Sequence, residues 1–186
     1  MTERPDELGA RWQSERCPEC AFEPEKYGPA ELPAAVAGLA RRYRAPLSRL
    51  LPGETTDILR ARPLAGTWSA LAYTCHVRDV LALFDGRIQR MLAEDDPDLG
   101  WWDHEAAVEA DGYDGQDPVA VADVLEANAG GLAATLSGVP DGAWERTGRR
   151  GDGAVFTVLG AGRFALHEGH HHLLDVGRVL RAARGR

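Results

Sequence analysis

Four of the chain's six histidines fall within six residues, in the stretch Leu166-His167-Glu168-Gly169-His170-His171-His172. His167 and His171 are four apart. On a helix that spacing puts both side chains on one face, one turn apart. Two neutral imidazoles so placed suit one metal ion, which binds nitrogen at about 2.0–2.1 Å. His170 is three residues from His167 and could replace His171, whereas His172 points away from both. A third donor is expected from His76, which lies in a separate helical segment. Three imidazoles from two facing helices leave a coordination position open for water or substrate, the catalytic rather than the structural arrangement. Zinc suits this donor set best, and nickel, iron or manganese would also accept it.

The same stretch matches His-Glu-x-x-His, in which two histidines bind zinc and the glutamate activates water. Such enzymes take a third ligand from downstream, and the short segment after His172 contains neither Glu nor His. A peptidase is therefore not expected. Glu168 is retained as a weak catalytic candidate. Asp79, one turn after His76, is a second, able to orient a ligand or a bound water.

Cys17-Pro18-Glu19-Cys20 resembles one zinc knuckle, but a structural zinc wants four ligands and no second Cys-x-x-Cys exists. Three roles stay open for Cys17 and Cys20: a second metal site completed by other side chains such as a histidine, a redox pair, or two reduced thiols packed on the fold. Cys75 is expected in the core.

The elements that must position these groups are helices. Apolar residues recur at spacings of three and four from Leu32 to Leu51, with Pro33 in the first turn and Pro46 as an awkward interior residue. Ser69 suits the cap of a second helix reaching Ala93 and carrying His76. Asp117-Pro118 opens a third, weakened at Gly130-Gly131 and stopped by Gly138-Val139-Pro140. A fourth runs from Phe156 to Ala183 and carries the histidine cluster. Residues 97–117 read as a long polar connection in which Trp101, Trp102 and Tyr113 line a pocket mouth or cover the core. Residues 144–155 read as a Gly/Arg-rich connection. Arg149, Arg150 and Arg163 are candidates for holding an anion. The pattern predicts an all-α fold, a four-helix bundle over residues 30–186, preceded by an irregular arm over residues 1–29 broken by four prolines.

The 186 residues are enough for one domain with a real core. A net charge of −8 argues against non-specific nucleic-acid binding. No stretch approaches the ~20 apolar residues of a membrane span. The segment Met1 to Glu7 is polar and carries no signal-peptide core. A cytoplasmic location is expected, where three cysteines do not form a disulfide framework.

Trp68-Ser69 with Ala72-Tyr73-Thr74-Cys75-His76-Val77-Arg78-Asp79-Val80, followed by His167-x-x-x-His171-His172, resembles the DinB-like superfamily, including mycothiol-dependent maleylpyruvate isomerase N-terminal domains. The resemblance covers about residues 32–183. It implies a four-helix bundle in which His76, His167 and His171 hold a divalent metal. It implies thiol S-transfer or isomerisation using mycothiol, bacillithiol or glutathione, and a homodimer. Leu174 departs from the glutamine often found there. No second domain follows, so a two-domain isomerase is not expected.

The expected function is a metal-dependent S-transferase or isomerase acting on a small molecule with a low-molecular-weight thiol. The alternatives are a non-catalytic metal-binding stress-response protein and a zinc hydrolase using Glu168 as base.

Overall fold

The structure is a computed structural model that describes residues 11–186. The segment Met1 to Glu7, on which the signal-peptide expectation rests, lies outside the described residues. Four long helices build the body: α1 (Leu32–Ser48), α2 (Ala70–Ala93), α4 (Pro118–Ser137) and α5 (Val158–Ala183). A short α3 (His104–Ala110) sits between α2 and α4. Strands β1 (Asp98–Gly100), β2 (Thr147–Arg150) and β3 (Val155–Thr157) form a small sheet in that order.

Local chemistry sets the helix starts. Ser69 accepts from Ala72 N–H, Asp117 from Ala120 N–H, and Thr157 from Gly160 N–H. Each cap satisfies an otherwise orphaned donor and is worth about 1 kcal/mol. Helix α1 ends three residues before the expected Leu51, keeping Pro46 in its last turn.

Both α1 and α2 pack principally against α4 and α5. Helices α1 and α2 therefore lie diagonally across the bundle from each other, as do α4 and α5, whereas the consecutive helices α2 and α4 pack together. The core is filled by Leu32, Val36, Leu39 and Tyr43 of α1, Leu71, Leu81 and Ile88 of α2, Leu125 and Leu132 of α4, and Ala165 and Leu166 of α5. Each fully buried leucine or isoleucine contributes roughly 1.5–3 kcal/mol. Helix α4 is long and apolar enough to cross a membrane by length and composition, which departs from the expectation that no stretch would be. Its Val121, Leu125, Leu132 and Leu136 are buried in the bundle.

The two expected connections are more ordered than periodicity showed. Residues 147–157 form a β-hairpin pairing Thr147 with Thr157 and Arg149 with Val155, and β1 joins β2 in parallel. Helix α5 consequently starts at Val158 rather than Phe156. Strands this short leave no readable alternation. The arm expected over residues 1–29 is seen from residue 11 and folds onto α5. Gln13 donates to Val155 O at 2.9 Å, Arg163 donates to Tyr27 O at 2.9 Å, and Cys17 and Phe22 are buried.

Candidate metal centre

The apolar stripe of α5 is interrupted. Ala161, Ala165, Leu166 and Gly169 are buried, as are Val176, Val179 and Leu180, but no residue from 170 to 175 is. Helix α1 approaches closely just before the gap. A Cβ at Gly169 would lie 2.5 Å from Leu39 Cδ1, and Tyr43 Oη donates to Gly169 O at 2.8 Å.

Two donor groups occupy this region. One nitrogen each from His76 and His172 and a carboxylate oxygen of Glu168 lie within 4.8 Å of one another. His76 Nε2 is 3.3 Å and His172 Nε2 is 3.4 Å from Glu168 Oε2. The second group comprises Cys17, Cys20, His167 and His171.

The three histidines expected to share one metal are thus divided. His167 and His171 do share a face, as their spacing required, but that face turns to the arm. His76 meets the face carrying Glu168 and His172. The cause is one helical step of about 100° between neighbouring residues. Glu168 and His172 are themselves four apart, so α5 carries two interleaved ligand-spaced pairs. Spacing alone does not say which pair faces α2. His172, expected to point away, enters a donor group, and Glu168 sits in it as a donor. The i, i+4 spacing of Glu168 and His172 was the signal that could have found them.

His172 is oriented from behind. Its Nδ1 lies 3.0 Å from Asp175 Oδ2, leaving Nε2 for the donor group. That carboxylate–histidine pairing is the usual support of a metal-binding imidazole. Burial alone would depress His172, but Asp175 and Glu168 outweigh it and raise its pKa to about 9. Burial likewise opposes ionisation of Glu168, yet the imidazoles of His167, His172 and His76 hold its carboxyl well below the usual range. His76 is buried, and its Nδ1 has no hydrogen-bond partner among the described residues. Burial lowers its pKa despite Glu168, favouring the neutral ring that binds metals. Two imidazoles and one carboxylate fit a divalent ion of the zinc type.

This group opens onto a cavity of about 820 Å³. Aromatic rings form its near wall: Trp102 stacks on His76 at 5.5 Å and 8°, and Tyr73 stacks on His172 at 5.2 Å and 26°. Trp68 lies 5.3 Å from His76. Trp101 and Trp102 line the cavity as one of the two expectations had it, but Tyr113 is in the core. Asp79 does not line the cavity. It pairs with Arg78 at 2.7 Å and accepts from Tyr113 Oη at 2.6 Å, which fixes it away from the donor group. Cys75 is buried, and burial pushes its thiol up to about 12.

Of the arginines singled out, Arg150 lines the cavity and pairs with Asp152 at 2.6 Å. Arg149 pairs with Asp96, and Arg163 ties down the arm. Arg87 also lines the cavity, buried in mid-α2. It donates to Leu99 O and Gly100 O, and burial followed by Arg150 lowers its pKa to about 10. Nothing in the sequence marked it. His170 joins neither group; its Nε2 lies 2.8 Å from Arg42 Nη1.

A family model described as the DinB superfamily matches residues 35–176. The chain belongs to the DinB superfamily. The fold is similar to the solved structure of YfiT from Bacillus subtilis, described as a probable metal-dependent hydrolase with an unusual four-helix bundle topology. The TM-score is 0.75 at 18% identity, covering 92% of this chain and 97% of that one. No curated protein matches the sequence.

Proposed function

We propose that this DinB-superfamily protein is a metal-dependent enzyme that delivers a low-molecular-weight thiol to a small electrophile, by S-transfer or thiol-assisted isomerisation. The observation that carries this is the His76/Glu168/His172 donor group, braced by Asp175 and opening onto the aromatic cavity. Held by these residues, a divalent metal would supply positive charge that lowers the pKa of a coordinated thiol or water.

Support for a thiol over water comes from the carboxylates near the centre, which are engaged or exposed. A general base beside the nucleophile assists hydrolysis. Glu168 is a donor, Asp175 holds His172, and Asp79 is held by Arg78 and Tyr113. Glu105 lines the outer wall with its side chain 71% exposed, and His104 lines the cavity with its ring 5.7 Å from that of His76. A thiol is far more acidic than water, so at a bound metal it would depend less on such a base. Trp68, Tyr73 and Trp102 enclose an apolar body and keep water from the reacting atoms. Arg87 and Arg150 place two guanidiniums in the same wall, suited to a carboxylate on substrate or thiol.

Water in the same position would make the centre a hydrolase, the activity described as probable for YfiT. A panel of electrophiles with mycothiol, bacillithiol or glutathione, run beside a panel of esters and amides, separates the two. Thiol-dependent turnover that His172→Ala abolishes is expected. Turnover of esters or amides without any thiol would overturn the transfer assignment. Glu168→Gln is expected to lose metal from this group together with activity. A variant that kept its metal and lost only turnover would make Glu168 a base instead.

A further inference from the structure

The second donor group faces away from the chemistry. None of Cys17, Cys20, His167 and His171 lines the cavity. Their two sulfurs and one nitrogen from each imidazole lie within 4.8 Å of one another. Cys17 Sγ is 3.6 Å from His171 Nδ1. Tetrahedral zinc, with Zn–S about 2.3 Å and Zn–N about 2.0–2.1 Å, holds a sulfur and a nitrogen about 3.6 Å apart. That pair already stands at the required separation.

His167 is an independent witness. Its side chain is buried, and neither ring nitrogen has a hydrogen-bond partner among the described residues. An unsatisfied buried polar group costs about 1–3 kcal/mol. Trp12 stacks on the ring at 5.1 Å and 18°, Phe22 lies 5.5 Å away at 55°, and Nδ1 stands 3.7 Å from Glu168 Oε1, beyond hydrogen-bond distance.

The cysteine loop has the form of a metal knuckle. Cys17 N–H donates to Phe22 O at 2.9 Å and Ala21 N–H to Cys17 O at 3.0 Å, closing a tight turn around Cys20. Ala21 adopts φ 60°, a left-handed conformation costing a non-glycine residue roughly 1–2 kcal/mol. Thiolate is the form that binds metal.

We propose that Cys17, Cys20, His167 and His171 bind a second metal ion, a structural zinc that clamps the N-terminal arm onto α5. All four positions are filled by protein, the closed arrangement of a structural site. Loading exchanges the two thiol protons for the ion. The protons pass to solvent and no oxidation state changes. Trp12 both stacks on His167 and lines the cavity, so the clamp also fixes one wall of the reaction site. The proposal does not rest on the catalytic role given to the other group.

The test uses the full chain, purified under reducing conditions and reconstituted with cobalt(II). The wild type is expected to bind two ions per chain and to show the intense sulfur-to-cobalt charge-transfer absorption of thiolate ligands. Cys17→Ser/Cys20→Ser should lose one ion and all of that absorption. His76→Ala/His172→Ala should lose one ion and keep it. A wild type without sulfur-to-cobalt absorption would overturn the proposal whether or not the cysteine variant folds. So would a folded cysteine variant that bound as much cobalt as wild type.

Discussion

His171 and His172 are adjacent residues whose rings stand 5.4 Å apart at 84°, and they serve different donor groups. Helix α5 therefore works as a partition. One face, His167 and His171, closes on the arm. The next, Glu168 and His172, opens to the cavity and meets His76. The DinB bundle supplies the wall on the cavity side, and the arm supplies the cysteines on the other.

Asp175→Asn should weaken metal binding at the open group while leaving the ligands in place. Supporting carboxylates of metal-binding histidines are typically worth about 10–100-fold in affinity. Titration against a competing chelator in the Cys17→Ser/Cys20→Ser background reads this group alone. An affinity equal to that of the parent would show that Asp175 does not orient His172.

Chelation should lower the melting temperature substantially, because the two proposed ions would tie α5 to α2 and to the arm. A site held at about a thousandfold excess over its Kd adds about 4 kcal/mol. For a domain this size each kcal/mol is about 2–4 °C. A fall of roughly 8–16 °C per site lost is expected on that arithmetic. Differential scanning calorimetry of metal-loaded and metal-stripped protein measures it, and coincident transitions would refute it.

Gly169→Ala and Gly130→Ala should have opposite effects although both lie in long helices. A Cβ at Gly169 would approach Leu39 Cδ1 to 2.5 Å and Cδ2 to 2.9 Å, and Leu39 is fully buried, so it must shift within the packed core. Overpacking of this kind costs about 1–3 kcal/mol. A Cβ at Gly130 meets nothing within 4 Å, so the substitution should stabilise by about 0.4–1 kcal/mol. Urea unfolding of the two variants gives both signs.

Glu54 clamps the α1–α2 connection to the end of α5. Its carboxylate takes a bidentate bond from Arg184, at 2.7 and 2.8 Å, and accepts from Leu51 N–H. The Arg184 guanidinium first, then the Leu51 amide, lowers its pKa from 4.5 to about 2. A depressed folded pKa means stability that is complete above the unfolded value and is lost as pH falls towards the folded one. Glu54→Gln should therefore lower the melting temperature at neutral pH, and the gap should narrow between pH 4.5 and about 2. A gap that did not change with pH would show that the pair contributes nothing.

The bundle was readable because helix ends and apolar stripes are local. Ser69 caps α2 where expected, Asp117-Pro118 opens α4 where expected, and the stripe of α1 matches its buried Leu32, Val36, Leu39, Tyr43 and Leu47. The hairpin after residue 146 was not readable, since three- and four-residue strands show no period. At the site, four-residue spacing identified a ligand face but not its partner. Helix rotation of about 100° decides between His167 with His171 and Glu168 with His172, and only packing against α2 fixes that rotation. A metal site completing Cys17 and Cys20 with a histidine was one of three roles open from the sequence, but that His167 and His171, about 150 residues later, lie beside them was out of reach, because contacts at that separation leave no local pattern.

The division of the histidines between two sites is the central claim, and anomalous diffraction at the zinc edge from crystals of the full chain tests it most directly. Two peaks are predicted, one bounded by His76, Glu168 and His172 and the other by Cys17, Cys20, His167 and His171. A single peak bounded by His76, His167 and His171 would contradict it.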